Sequence, residues 1–136
     1  MPIEGFANDG NMVQDLAEFN LDQEIANALQ TAPTQGHSAK VLFKKSDLRI
    51  LLISMQKGSV LKEHHADGTI SVQVIKGSVR FTVQGQAHDL RLHNLLTLGA
   101  SIKHEVEALE DAAILLTIAW PSAEKLESLP HRGYGK

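Results

Sequence analysis

Hydrophobic and polar residues alternate along most of the chain after residue 40. Val41 and Phe43 are flanked by the polar Lys40 and Lys44, and apolar side chains occupy every second position over 70–74 and 79–83. A period of two is typical of a β-strand that buries one face. The pattern therefore predicts strands in these three segments.

Two further segments are apolar nearly throughout. They are Leu48 to Met55 and Ala112 to Ala119, and shorter apolar runs follow at Leu90, Leu92 and 95–98. A continuous apolar run of this length indicates a strand covered on both faces. Short strands at such regular spacing predict an all-β sandwich or barrel.

Turn residues separate the predicted strands. Ser46-Asp47 suits a tight turn, and Lys76-Gly77 and Gln84-Gly85 stand where hairpin turns need a residue that tolerates positive φ. We expect a hairpin at each of the two glycine pairs.

Residues 1–36 have a different pattern, which predicts a helical arm. Segments 12–19 and 21–29 have the pattern of short helices, and Leu21, Ile25 and Leu29 fall on one helical face. We expect this face to dock on a barrel, either the chain's own or a partner's. The predicted organisation is an arm over 1–36, a barrel over 37–121 and a polar tail over 122–136.

Composition places the chain among ordinary globular domains. It has 136 residues, 43% hydrophobic and 21% charged, with a formal net charge of −3 and no cysteine. The mild acidity argues against a nucleic-acid partner, which would require a basic face. The absence of cysteine excludes disulfides and thiolate metal sites.

The chain shows no pattern of a membrane partner or an export signal. The longest apolar run, Ala112 to Trp120, is far shorter than the roughly 20 residues that span a bilayer as a helix. Residues 1–10 have neither a basic start nor an apolar run, so we expect a cytoplasmic location. Because 48–55 and 112–119 are apolar on both faces, we also expect a homodimer.

The candidate chemistry lies in the histidines, of which the chain has seven. Five of them, His37, His65, His88, His93 and His131, are expected to be surface or loop residues without a role. His65 follows His64 directly, so strand alternation points the two side chains in opposite directions. His64 and His104 differ from the rest in their surroundings.

The run Gly58-Ser-Val-Leu-Lys-Glu-His64 resembles the opening of the first cupin motif, in which a glycine precedes a metal-ligand histidine by the same interval. Gly77 stands where that motif ends. In this register Ala66 occupies the place of the second histidine ligand and Ile70 that of the glutamate. His104 matches the histidine of the second cupin motif.

The resemblance covers roughly Lys40 to Pro121, and the chain is similar to a subgroup of small single-domain bacterial cupins with a degenerate metal motif. It implies a jelly-roll β-barrel with a metal held by His64 and His104. The resemblance and the strand alternation together place Ile70, Val72 and Val74 in a ligand pocket inside the barrel.

Two imidazoles leave a divalent ion short of protein ligands, so any metal, whether Fe, Mn, Ni or Zn, is expected to be weakly held. Nearby carboxylates do not complete the set. Alternation points Glu63, Glu105 and Glu107 outward, and Asp67 lies in a predicted turn.

Two functions follow as alternatives. The first is a cupin that binds an unknown small molecule, with or without a metal. The second is a metal-dependent cupin enzyme of the dioxygenase or isomerase type. The two missing ligand positions favour the first, and a purely structural partner domain is a weaker third hypothesis.

Overall fold

The computed structural model describes residues 16–31 and 36–120. Its elements in chain order are α1 (Leu21–Thr31), β1 (His37–Lys44), β2 (Leu48–Met55), β3 (Val60–His64), β4 (Thr69–Lys76), β5 (Val79–Val83), β6 (Gln86–Leu90), β7 (Leu95–Leu98), β8 (His104–Ala108) and β9 (Ala112–Ala119).

The strands form two antiparallel sheets. One has the order β1-β2-β9-β4-β7 and the other the order β3-β8-β5-β6. The predicted all-β class is confirmed, and the predicted strands at 48–55, 79–83, 95–98 and 112–119 have the observed bounds. Val41 and Phe43 lie in β1, and the 70–74 segment lies in β4.

The core lies between the two sheets because alternate side chains of both point inward. Val72, Val74 and Ile114 of the first sheet meet Phe81 and Val106 of the second, each at most 2% exposed. β2 is covered on both faces as its apolar run predicts. Its odd-numbered positions Leu51, Ile53 and Met55 belong to this core, and Leu52 belongs to a second cluster on the outer face.

The helix α1 supplies that outer cover. The Asn20 side chain caps it by accepting a hydrogen bond from the Gln23 backbone N–H at 3.0 Å. Ile25 is buried against Leu52 and Ala113, with Ala28 beside it, whereas Leu29 is 41% exposed. The arm therefore docks on its own barrel, and the predicted contact face is wrong at Leu29 because the helix is rotated toward Ala28.

The other predictions for the two ends have mixed outcomes. Residues 16–20 are not helical, so the predicted helix at 12–19 is wrong over 16–19, and 12–15 lie outside the described residues. The polar tail at 122–136 also lies outside them. The division into arm, barrel and tail stays a prediction.

One of the two predicted hairpins is wrong. Gln84 and Gly85, both at positive φ, do join the paired strands β5 and β6. Gly77 instead carries the chain from β4 to β5, which lie in different sheets. Its φ is +69°, and a Cβ there would overlap the Asp111 carbonyl oxygen. Within the described residues, no helix is long and apolar enough to cross a membrane.

Candidate functional site

The structure brings together the two histidines that the sequence singles out. His64 at the end of β3 and His104 at the start of β8 are direct partners across the two strands. Their ring centroids are 4.3 Å apart, with the planes at 64°. Forty residues of sequence thus separate two imidazoles that are in contact.

A β-bulge gives His64 this direction. Leu61 pairs with Val106 and packs against the core, and regular alternation would turn His64, three residues later, to the opposite face. The register shifts between Leu61 and His64, so that one extra residue is accommodated in β3. A bulge re-aims the side chains that follow it, and here it points His64 toward His104.

The hydrogen bonds of both rings leave the same nitrogen available. Nδ1 of His64 lies 2.8 Å from the Lys62 carbonyl oxygen, and Nδ1 of His104 lies 3.1 Å from that of Ile102. A carbonyl oxygen only accepts, so Nδ1 donates in each case. In the neutral ring Nε2 then carries the lone pair, which is the arrangement that a metal or a hydrogen-bond donor requires.

The two histidines differ in exposure. His64 is exposed, whereas His104 is 5% exposed and stacks on Phe81. Burial lowers the pKa of His104 below its ordinary value; the hydrogen bond to Ile102 opposes this, and the neighbouring His64 and His65 add to it. His104 therefore stays neutral over a wider pH range than a free histidine.

No third ligand joins the pair among the described residues, where no group of three His, Cys, Asp or Glu side chains comes together. Glu63 and Glu105 are exposed, and Glu107 lies beside Val60 and Arg80 on the outward face of its sheet. Asp67 approaches His65 at 3.9 Å, with its side chain 85% exposed. The described donors at this point are thus the two imidazoles, and an ion held here would take its remaining ligands from water or a bound molecule.

We call the barrel end that carries the histidine pair the mouth. β3 ends there at His64 and β8 begins there at His104, and the connecting loops meet where Ser101 N–H donates to the Ala66 carbonyl at 2.8 Å. β4 begins at the same end with Thr69 and Ile70. The register then places Ile118 and Leu98 beside Ile70, on either side.

The three predicted pocket residues lie at different depths. Val72 and Val74 have no exposed surface, and Ile70, nearest the mouth, is 3% exposed. On the neighbouring strand β9, Ile114 and Ile118 are buried and Leu116, which pairs with Val72, is partly buried. The assignment of Ile70, Val72 and Val74 to a ligand pocket stays a prediction.

Arg49 belongs to the mouth, although sequence analysis did not single it out. Arg49 lies on β2 and pairs with Ile118 of β9. It stands two residues before Leu51, which packs against the core, so its side chain points to the inner face. Its guanidinium lies over the Trp120 ring, 5.2 Å from the centroid, and its Nε is buried without a hydrogen-bond partner. In the sequence, Arg49 is a charged residue within the apolar run Leu48 to Met55, and this pattern could have identified it as a candidate site residue.

Solved structures with a similar fold are numerous. A cupin 2 conserved barrel domain protein from Leptotrichia buccalis is 27% identical over 75% of this chain and 47% of its own, with a TM-score of 0.66. A cupin superfamily protein from Desulfitobacterium hafniense is 18% identical over 80% of this chain and 94% of its own, with a TM-score of 0.64.

A third similar structure is an enzyme. Salicylate 1,2-dioxygenase from Pseudoaminobacter salicylatoxidans, in adducts with gentisate, is 14% identical over 73% of this chain and 31% of its own, with a TM-score of 0.62. No protein-family model and no curated protein matches the sequence. The structural matches show the jelly-roll barrel that the sequence predicts.

Proposed function

We propose that this chain, which belongs to the cupin superfamily by its fold, binds a small molecule at the mouth of its barrel, where His64 and His104 hold a divalent metal ion weakly. The observation that carries the proposal is the contact between the two rings, each with Nδ1 bound to a backbone carbonyl and Nε2 left available. Two neighbouring imidazoles with the same tautomer and the same free nitrogen indicate a shared ligand rather than two independent core histidines.

The weakness of the metal site follows from ligand count. Full tetrahedral or octahedral coordination needs four to six donors, and the described residues supply two. When bound, the ion would supply a Lewis acid with several open positions. The protein's own part is to hold both imidazoles in one tautomer and to line the mouth with apolar side chains.

The alternative, a metal-dependent enzyme, has one supporting observation, that a dioxygenase shares the fold. The donor set argues against it, because non-haem iron oxygenases use two histidines and a carboxylate. No described carboxylate joins the pair. Binding is therefore the function that the geometry supports better.

Metal binding tests the proposal. Calorimetric titration of chelator-treated protein with Zn²⁺, Ni²⁺, Mn²⁺ and Fe²⁺ should give at most one ion per chain, with micromolar or weaker affinity. His64→Ala and His104→Ala should each weaken binding at least tenfold. The matched control is His65→Ala, which removes the adjacent, exposed imidazole and should leave affinity unchanged. Equal affinity in all four proteins would show that the pair is not the metal site.

A cytoplasmic location, a homodimeric assembly and the absence of nucleic-acid and membrane partners complete the proposal as predictions. The mild acidity supports the absence of a nucleic-acid partner.

A further inference from the structure

Arg49 carries a buried hydrogen-bond donor that has no acceptor in the described part of the chain. Its Nε is buried, and none of the described side chains or backbone carbonyls accepts its hydrogen. A buried donor without a partner is costly and uncommon in folded proteins, and it calls for an explanation. No described carboxylate forms an ion pair with this arginine, and its guanidinium lies over the indole of Trp120.

The register places Arg49 at the mouth. Arg49, Ile118 and Ile70 follow one another across β2, β9 and β4, and Leu98 of β7 continues the row. Ile70 lies in the second position of β4, just after the loop that follows His64. Arg49 and the histidine pair therefore lie on facing sheets at the same barrel end, and facing sheets stand about 10 Å apart.

The surroundings of Arg49 are otherwise apolar. Ile70 and Ile118 are buried, and Leu98 and Trp120 are partly buried against the same core. The guanidinium lies over the Trp120 ring in a cation–π contact, and its buried Nε has no described acceptor. A cation with an unpaired donor, set among apolar side chains, fits a ligand that has a negative group on an apolar body.

The same protein shows the geometry that such a ligand would adopt. On the surface, Arg80 binds Asp89 from the side, through Nε at 2.6 Å and through one terminal nitrogen at 3.0 Å. Two parallel bonds of this kind match the planar fork of arginine to a carboxylate. The unpaired Nε of Arg49 is the nitrogen that begins such a pair.

From these observations we infer that the small molecule is a carboxylate with a small apolar body, and that Arg49 binds its carboxylate side-on through Nε. This inference rests on the proposed binding function and names its ligand class. Its apolar body lies against the neighbouring side chains of Ile70 and Ile118, with the far end of the molecule directed toward the Nε2 atoms of His64 and His104.

Matched pairs of acids and amides test the inference. Isobutyrate, benzoate and phenylacetate are titrated against isobutyramide, benzamide and phenylacetamide, with binding followed by NMR shifts in chelator-treated protein. At least one carboxylate should bind at least tenfold more tightly than its amide, which has the same shape without the charge. Inorganic phosphate and phenyl phosphate are measured alongside them.

Variants of Arg49 locate the binding. Arg49→Met should weaken carboxylate binding at least tenfold. The affinity of Arg49→Lys should lie between those of the parent and Arg49→Met, because lysine keeps the charge but lacks the planar guanidinium. The control Arg80→Met removes an arginine that already has a carboxylate partner and should change nothing at the mouth. Since Arg49→Met also removes an unsatisfied buried donor, its Tm should equal or exceed the parent's, which separates lost binding from unfolding.

Several results would overturn the inference. These are equal binding of acids and amides, binding by Arg49→Met at the parent's affinity, no binding by any carboxylate, and Arg49-dependent binding of the phosphates alone. Metal binding by the histidine pair is measured separately in the same variants. If the parent binds metal through the histidine pair but binds no carboxylate, the inference fails and the metal proposal stands. If the parent binds a carboxylate through Arg49 but no metal, the inference stands and the metal proposal fails.

Discussion

The imidazole of His104 stacks on the ring of Phe81, with centroids 5.7 Å apart and planes inclined by 22°. The stack closes the inner side of the histidine, and His64 covers another side. A charged imidazolium in this place would lose its water without gaining an anion, which is why burial lowers the pKa of His104.

The pH dependence of stability follows from this shift. The unfolded chain takes up a proton near the ordinary histidine pKa of 6.5, whereas the folded chain takes it up only at a lower pH. Between these two values the unfolded state binds more protons, so the free energy of unfolding falls as pH decreases below about 6.5 and levels off below the folded pKa. One group contributes a slope of at most about 1.4 kcal/mol per pH unit.

Urea unfolding of chelator-treated protein between pH 8 and pH 5 measures this slope. His104→Phe should lose this contribution, because no imidazole remains at the buried position. The exposed His37→Gln serves as a control and should retain the parent's slope. A parent and a His104→Phe variant with the same slope would contradict the assignment.

Two glycines separate backbone strain from steric overlap. Gly77 and Gly85 both have positive φ, at +69° and +82°, but a Cβ meets the Asp111 carbonyl only at Gly77 and finds open space at Gly85. Gly85→Ala should cost about 1 kcal/mol in free energy of unfolding, from φ alone. Gly77→Ala should cost at least about 3 kcal/mol, because the backbone of the inter-sheet crossing must also move. Equal losses in urea unfolding would show that the crossing yields without strain.

The docking of α1 has an internal control on the same helix. Ile25 is 8% exposed and Leu29 is 41% exposed, one turn away. Ile25→Ala should destabilise the protein by about 2 kcal/mol through lost packing on Leu52, and Leu29→Ala by less than about 0.5 kcal/mol. Thermal and urea unfolding both report the difference. If the two variants lose equal stability, the helix does not contribute through the Ile25 face.

The homodimer stays a prediction, because α1 covers part of the apolar outer face on which it was based. The α1 cluster covers Leu52 and Ala113, whereas Leu95 at the far edge, beside Gln73, is 62% exposed. Light scattering at micromolar concentration should give twice the chain mass of 14.8 kDa, and Leu95→Lys should shift it toward one chain. Leu92→Lys alters a leucine that is 49% exposed outside the strands, and should leave the dimer intact. A single-chain mass for the parent would contradict the prediction.

The sequence predicts the strands well because their periodicity is strong. It does not predict which strands pair, and so Gly77 is interpreted as a hairpin although its chain crosses between sheets. The direction of His64 also depends on pairing, since one extra residue in β3 reverses the alternation. Arg49 shows a further limit. An arginine inside an apolar strand can lie at an edge, in an interface or over a cavity, and only the register with Ile118 puts it at the mouth.

Restoring the absent ligands is the sharpest test of the register on which the site rests. Ala66 is partly buried against the core, and Ile70 points inward at the mouth. The double variant Ala66→His, Ile70→Glu returns a histidine and a carboxylate to the positions that the cupin motif assigns to ligands. Metal content after dialysis should rise from well below one to about one ion per chain.

The stability of this double variant gives a second readout. Without metal, the new carboxylate is buried with too few partners, which should lower the free energy of unfolding by about 1–3 kcal/mol. Binding of Zn²⁺ or Ni²⁺ to the folded state should recover that loss and raise the Tm with metal concentration. Ala66→Asn, Ile70→Gln is the matched control, because it buries amides of similar size that are poor ligands, and its Tm should not respond to metal. Adding His64→Ala to the restored variant should abolish the metal-dependent rise. If the restored variant folds and its Tm ignores both ions, then His64, His104 and the two restored positions do not face one point, and the ligand register anchored on Gly58 and Gly77 is wrong.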